Sequence, residues 1–260
     1  SEMITLEGAS VQSIDYDLLE DYLTAIYEAS VEDGVNYFDK AYYYFDKIYD
    51  EITEERYPQM RHALDSTNAR EETVALAAEG AGHADLAASV RGIRHIVPVV
   101  SGWRDIFDEY EEELIVCPLF NNFITTENLE TYAARQEEGY EIASYGAASF
   151  WPYSSHLIDD YMLTTRDVFW SKFDYGLDAD LIWNVNAFCN YGTVLPTGYG
   201  RVNDFYTEPS RDGVSAGDGY LLYPGLPYGS DKPIPSLRLT ALRDGIDDYA
   251  YLDMLAERYE

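Results

Sequence analysis

Apolar residues recur along this chain in two rhythms, and their alternation predicts the fold class. Between Asp15 and Asp33, Leu18, Leu19, Tyr22, Leu23, Ile26 and Tyr27 fall at three-four spacing, which predicts an amphipathic helix. Asp17 and Glu20 resemble a capping box at its start, and Gly34 is a natural stop. Short apolar runs over Lys40–Phe45, Ile93–Val100, Leu114–Phe120, Tyr140–Ala147 and Ala179–Phe188 read as strands. Between them, Glu54–Leu64, Asn68–Ala78, Ala84–Val90, Trp103–Glu112, Glu127–Glu137 and Leu157–Phe173 read as helical, with Asn68 as a cap. The tail from Pro235 to Tyr259 carries Leu237, Leu239, Leu242, Ile246, Tyr249, Leu252 and Leu255 and predicts a long helix. Strands alternating with helices predict an α/β fold with a parallel sheet. Five such strands precede Asn190, against the eight of a closed barrel. Residues 191–231, rich in Gly, Pro, Asp and Tyr, read as a loop system with one short strand at Tyr220–Tyr223.

Charge narrows the partners. Against 17 Lys and Arg stand 48 Asp and Glu, a formal net charge of −31. Such a surface repels phosphate backbones and anionic headgroups, so no nucleic acid partner is expected. No run of about 18 apolar residues is present, so no membrane insertion is expected either. The opening Ser1-Glu2-Met3 lacks a basic-plus-apolar signal pattern. The 25 Tyr suit sugar stacking, although they suit any large core equally well. Cys117 and Cys189 can form at most one bridge. His62, His83, His95 and His156 are scattered without ligand spacing, so neither a metal nor another cofactor is expected. Gly198-Tyr199-Gly200 and Gly217-Asp218-Gly219 read as turns rather than phosphate loops, and there is no Gly-x-Ser-x-Gly elbow.

Acid pairs are then the best source of chemistry. Asp50 and Glu51 follow the aromatic run Tyr42–Phe45 and precede a helix start with Thr53 as candidate N-cap and Glu54 and Glu55 in the first turn. Neighbouring strand residues point to opposite faces, but at a strand end, where the chain turns, two acids can serve one site. Strand, acidic pair and helix is the arrangement by which an α/β barrel presents catalytic acids at its C-terminal face. Taken alone, the pair reads more readily as two further charges on a solvated acidic surface, since most exposed acids are of that kind. A second pair, Asp159 and Asp160, reads as the favourable acidic start of a helix. Trp183-Asn184-Val185-Asn186 ends a strand, and Asn on a buried strand is unusual, so ligand and structural roles stand level there.

The tail Gly217-Asp218-Gly219-Tyr220-Leu221-Leu222-Tyr223-Pro224-Gly225, then Pro235-Ser236-Leu237-Arg238-Leu239 and Leu242-Arg243-Asp244-Gly245-Ile246-Asp247-Asp248-Tyr249, resembles the C-terminal signature of glycoside hydrolase family 123. That family contains β-N-acetylgalactosaminidases. The segment Lys40–Tyr44, with Asp50-Glu51 and Thr53–Tyr57, is similar to its catalytic-strand segment, and Trp183–Asn186 to its late Trp-x-x-Asn element. Two departures stand out. Ile52 occupies the place where the family usually has Pro, and Asp46–Tyr49 looks like an insertion, so that an alternative alignment puts Asp46 and Lys47 at the pair's position. The resemblance implies one catalytic domain over 1–260, the later part of a (β/α)8 barrel without its first strands. It implies retaining hydrolysis of terminal N-acetylhexosamine assisted by the substrate's own acetamido group, an exception to the rule of two flanking carboxylates. Glu51 would be the general acid/base and Asp50 the group orienting the acetamido N–H. Trp151, Tyr153, Trp183, Asn184 and Asn186 would bind the sugar, while Arg238, Arg243 and Asp248 would form an ion-pair network around the tail helix. A glycan or glycoconjugate partner, further domains of a longer chain and a secreted or cell-surface setting are expected. A non-catalytic carbohydrate-binding or structural fragment is the alternative.

Overall fold

The computed structural model describes residues 2–6, 9–45, 48, 51–100, 102–146, 153–186, 189–194, 200–202, 216–225 and 228–259. The chain forms two compact units, one of residues 1–118 and 127–141, the other of residues 119–126 and 142–260.

The first unit opens with a hairpin that the apolar pattern does not announce. Strand β1 (Glu2–Leu6) pairs antiparallel with β2 (Ala9–Ser13). Helix α1 (Tyr16–Asp33) follows, and its cap is Asp15, whose carboxylate accepts from Leu18 N at 3.1 Å. The expected capping box at Asp17 and Glu20 therefore sits inside the helix, and both acids instead receive Arg70. Leu23 is buried, and Leu19, Ile26 and Tyr27 pack on the core, while Leu18 and Tyr22 are exposed. A 3-10 turn, Tyr37–Lys40, takes up the start of the expected Lys40–Phe45 strand, and the aromatic run itself yields only a two-residue strand, β3 (Tyr42–Tyr43). The expected breaks around Asn68 are absent: one 24-residue helix, α2 (Tyr57–Gly80), runs through it with Pro58 in the first turn, where its missing N–H costs nothing.

Helix α3 (Ala84–Arg91), β4 (Arg94–Val99), β5 (Leu114–Pro118) and α4 (Thr126–Glu138) complete the unit. The helix expected over Trp103–Glu112 reduces to a 3-10 turn at Asp105–Glu109. Strands β3, β4 and β5 form one parallel ladder in that order. Every residue of β5 is buried, as in a parallel strand covered on both faces.

The second unit contains β6 (Ala143–Tyr145), α5 (Met162–Asp174) and β7 (Ala179–Leu181), with β6 and β7 parallel. Helix α5 starts five residues later than the apolar pattern suggests. The loop system holds an antiparallel hairpin, β8 (Cys189–Val194) with β9 (Gly200–Val202), and a short pair, β10 (Leu222–Tyr223) with β11 (Ile234–Pro235). The tail helix α6 (Leu237–Tyr259) packs on α5. Gly245 makes this close, since a Cβ there would lie 2.6 Å from the Arg166 carbonyl oxygen. The architecture is α/β with parallel sheets, and the described residues form no closed barrel.

Candidate active site

In the first unit the acidic pair falls in the sequence between β3 and α2. Asp50 lies outside the described residues, as do Asp46 and Lys47 of the alternative alignment. Glu51 is exposed in a turn with φ 49°, and it is the only non-glycine residue with positive φ among the described residues. Backbone of this hand costs a side-chain-bearing residue roughly 1–2 kcal/mol, and such conformations cluster at functional sites. Two buried isoleucines hold the turn. Ile48 N donates to Phe45 O at 2.8 Å, and Ile52 N donates to Pro98 O of β4 at 3.3 Å. A proline at position 52 would have no N–H to make this bond, so Ile52 is what allows the tether to β4. Thr53 makes no side-chain cap; the residues after it form a 3-10 turn, Glu54–Arg56, before α2 begins.

Beneath β3 lies a buried acid that the apolar pattern alone does not single out. Glu71 of α2 is 4 % exposed, and burial pushes its carboxyl up to about 8, with the Tyr43 hydroxyl opposing and Glu113 adding to the rise. It is therefore protonated at neutral pH. His95 of β4 is fully buried against the Tyr43 ring, 4.7 Å between centroids, and burial lowers it to about 3, so it is a neutral core histidine. The signal for Glu71 was present in the sequence: it interrupts the buried stripe Leu64, Thr67, Val74, Ala75, Ala78 at three-four spacing.

In the second unit the sugar-binding candidates meet a partner, Asp218, that lies far from them in the sequence. Trp183–Asn186 lies beyond β7 rather than on it. The Trp183 indole donates to Asp218 Oδ1 at 2.9 Å, and Asn184 Oδ1 accepts from Asn186 N at 2.8 Å. Val185 O accepts from Leu221 N and Leu222 N, and Asn186 bridges Tyr220. The segment is thus stitched to the Gly217–Tyr223 strip, and Asp218 stands beside Trp183. The signal in the sequence is an acid between two glycines, and both glycines take positive φ in the structure. Tyr153 is 39 % exposed, with its ring edge-on to Phe120, and Trp151 lies outside the described residues. Asp160 accepts from the Ser155 hydroxyl, so the second acid pair belongs to the loop before α5 rather than to the helix start.

Below this loop is a buried polar cluster. Lys172 of α5 and Asp180 of β7, both side chains 4 % exposed, pair at 2.9 Å. His156 Nε2 lies 3.4 Å from Asp180, and Lys172 also donates to Ser144 of β6. Burial alone would raise the Asp180 carboxyl, but the Lys172 charge and His156 outweigh it and hold it at about 2. The expected network around the tail helix is only partial. Asp248 receives Arg166, at 2.6 Å through Nη2, and the Trp170 indole, whereas Arg243 pairs with its neighbour Asp244. Arg238 is occupied with backbone carbonyls. Among the described residues no group of three or more His, Cys, Asp or Glu could hold a metal ion.

No curated protein matches this chain. Among solved structures, it is similar to a family 123 glycoside hydrolase from Clostridium perfringens, studied for glycolipid glycan hydrolysis, at TM-score 0.58 and 15 % identity. That likeness covers 96 % of this chain and 38 % of the Clostridium chain, and at this identity it shows the fold. The family model of the glycoside hydrolase 123 catalytic domain matches residues 14–255. With nearly its whole length matched, the chain belongs to the glycoside hydrolase family 123 catalytic domains.

Proposed function

We propose that the chain serves a retaining glycosidase that removes terminal N-acetylhexosamine from a glycan or glycoconjugate outside the cell, with strands β3–β7 as later strands of a (β/α)8 barrel. The support is family membership over residues 14–255 together with one local observation, the left-handed backbone of Glu51 held between two buried isoleucines. Glu51 is the general acid: it gives its proton to the departing glycosidic oxygen while the acetamido carbonyl oxygen attacks the anomeric carbon. Asp50 accepts from the acetamido N–H and stabilises the positive charge that develops on the resulting oxazolinium. Water then opens this ring as Glu51 takes the proton back. Trp183, Asn184, Asn186, Tyr153 and Trp151 bind the sugar.

The test separates the two acids on aryl N-acetylgalactosaminides and N-acetylglucosaminides of graded leaving-group acidity. Glu51→Gln should lose about 10²–10⁴-fold on a poor leaving group, and the loss should shrink for dinitrophenol, which departs unassisted. Asp50→Asn should cost roughly 2–4 kcal/mol of transition-state stabilisation with no such rescue. Equal response of both variants to the leaving group, or Glu51→Gln near wild type on a poor one, would overturn the assignment. Sugar binding without turnover by the unmutated chain would favour a non-catalytic carbohydrate-binding role.

A further inference from the structure

Arg238 occupies a place that elementary electrostatics disfavours. It stands in the first turn of α6, where the helix dipole is positive, and a cation is the wrong charge there. It is nonetheless buried, and its guanidinium is spent on backbone carbonyls. One terminal nitrogen donates to His156 O and, at 2.8 Å, to Gly217 O; the other donates to Tyr220 O and reaches the Tyr223 hydroxyl at 3.5 Å. These carbonyls belong to two loops, the stretch 153–158 after β6 and the strip 217–223.

The two loops also join directly, through Ile158 N to Ala216 O at 2.8 Å. Gly217 completes the joint. Its φ is 84°, and a Cβ there would lie 2.6 Å from Ile158 Cγ1 and 2.7 Å from Arg238 Nη1, so the guanidinium fits only against glycine. The first loop carries Tyr153 at its head. The second carries Asp218, which holds the Trp183 indole, and Leu221 and Leu222, which hold Val185.

We infer that Arg238 is a positioning residue that fixes the two faces of the sugar site at a set separation: Tyr153, carried by the first loop, and Trp183 with Asn184, whose segment the second loop holds. The inference rests on the reading of those residues as sugar contacts. A planar fork with several donors can serve three carbonyls at once, whereas the ammonium of lysine is a single point on a flexible stem. Arg238→Lys keeps the charge and loses the geometry.

The experiment compares Arg238→Lys, Arg238→Ala and Gly217→Ala with Arg243→Ala, a control whose side chain pairs only locally on the surface. Turnover of aryl N-acetylgalactosaminides is measured together with amide hydrogen exchange. Both Arg238 variants and Gly217→Ala should raise KM about tenfold or more with kcat changed far less, the signature of lost binding geometry rather than lost chemistry. Exchange should quicken in 153–158 and 217–223 together, while α5 keeps its protection, and millimolar guanidinium should lower the KM of Arg238→Ala. Unchanged KM or unchanged exchange in either loop overturns the inference, as does a uniform loss of protection across the unit. If Glu51→Gln leaves turnover intact, the functional reading fails by itself, and the exchange pattern alone then decides whether Arg238 joins the two loops.

Discussion

Deleting the charge of Lys172 should be among the costliest single changes to the second unit. Lys172 and Asp180 are both buried and 2.9 Å apart. Lys172→Met leaves the Asp180 carboxylate in that place with only His156 beside it. The depression of Asp180 from 3.8 to about 2 corresponds to about 2 kcal/mol of native-state preference for the carboxylate, after its burial cost has been met. Removing the lysine forfeits that preference and exposes the burial cost, so the expected loss is about 3–5 kcal/mol at pH 7. The pH dependence has a definite sign. In the unmutated chain Asp180 titrates below its unfolded value, so its contribution is complete above about pH 4 and is lost as pH falls toward 2. In Lys172→Met burial is no longer outweighed, the native carboxyl titrates above the unfolded one, and the variant gains stability as pH falls from 7 toward 4. The deficit should therefore be widest at neutral pH and narrow on acidification. Urea unfolding at pH 7, 6 and 5 reads it, with Lys172→Met/Asp180→Asn expected to recover more than half of the loss. A deficit under about 1 kcal/mol at pH 7, or one equal at pH 5 and pH 7, would refute the reasoning, because breaking a buried pair costs more than this.

Two further outcomes are expected. Glu51→Asn should raise stability by roughly 0.5–1 kcal/mol, because Asn tolerates the left-handed backbone better, while turnover collapses; a destabilised variant in thermal unfolding would count against strain stored at Glu51. Turnover should survive EDTA, since the proposed chemistry uses two carboxylates and the substrate's own acetamide; activity lost on chelation and restored by added metal would contradict it.

Helix α1 and the tail helix α6 are legible in the sequence because burial imposes a repeat that several residues reinforce, and the parallel strands β3–β7 because each falls within a short apolar run. The extent of the short elements, and the elements without such a run, are not legible in this way. The hairpin β1–β2 rests on backbone pairing over a few residues, and only Tyr42 and Tyr43 of the expected Lys40–Phe45 strand pair with β4. Asn68 looked like a boundary because its side chain favours caps, yet the helix runs on through it and a buried apolar face continues on both sides. The candidate site was legible as residue types and not as relations. Trp183 and the Gly217-Asp218-Gly219 turn were both visible, but no spacing rule couples residues 35 positions apart, and only the fold makes Asp218 the partner of Trp183. Arg238 reads as an ion-pair residue because sequence shows charge, whereas in the fold its guanidinium serves the carbonyls that surround it.

Glu71 makes the folding of this chain a proton-consuming event. Its carboxyl titrates at 4.5 in the open chain and at about 8 in the folded one, so between those values the chain takes up a proton as it folds. Stability from this group is complete below about pH 4.5 and drains away as pH climbs through 8. Asp180 sets the opposite limit, since its contribution fades only below about pH 4. The two buried acids thus bracket a mildly acidic range in which each unit keeps its buried carboxyl in the form its surroundings favour. In a chain of net charge −31, the same acidity also relieves the mutual repulsion of the surface.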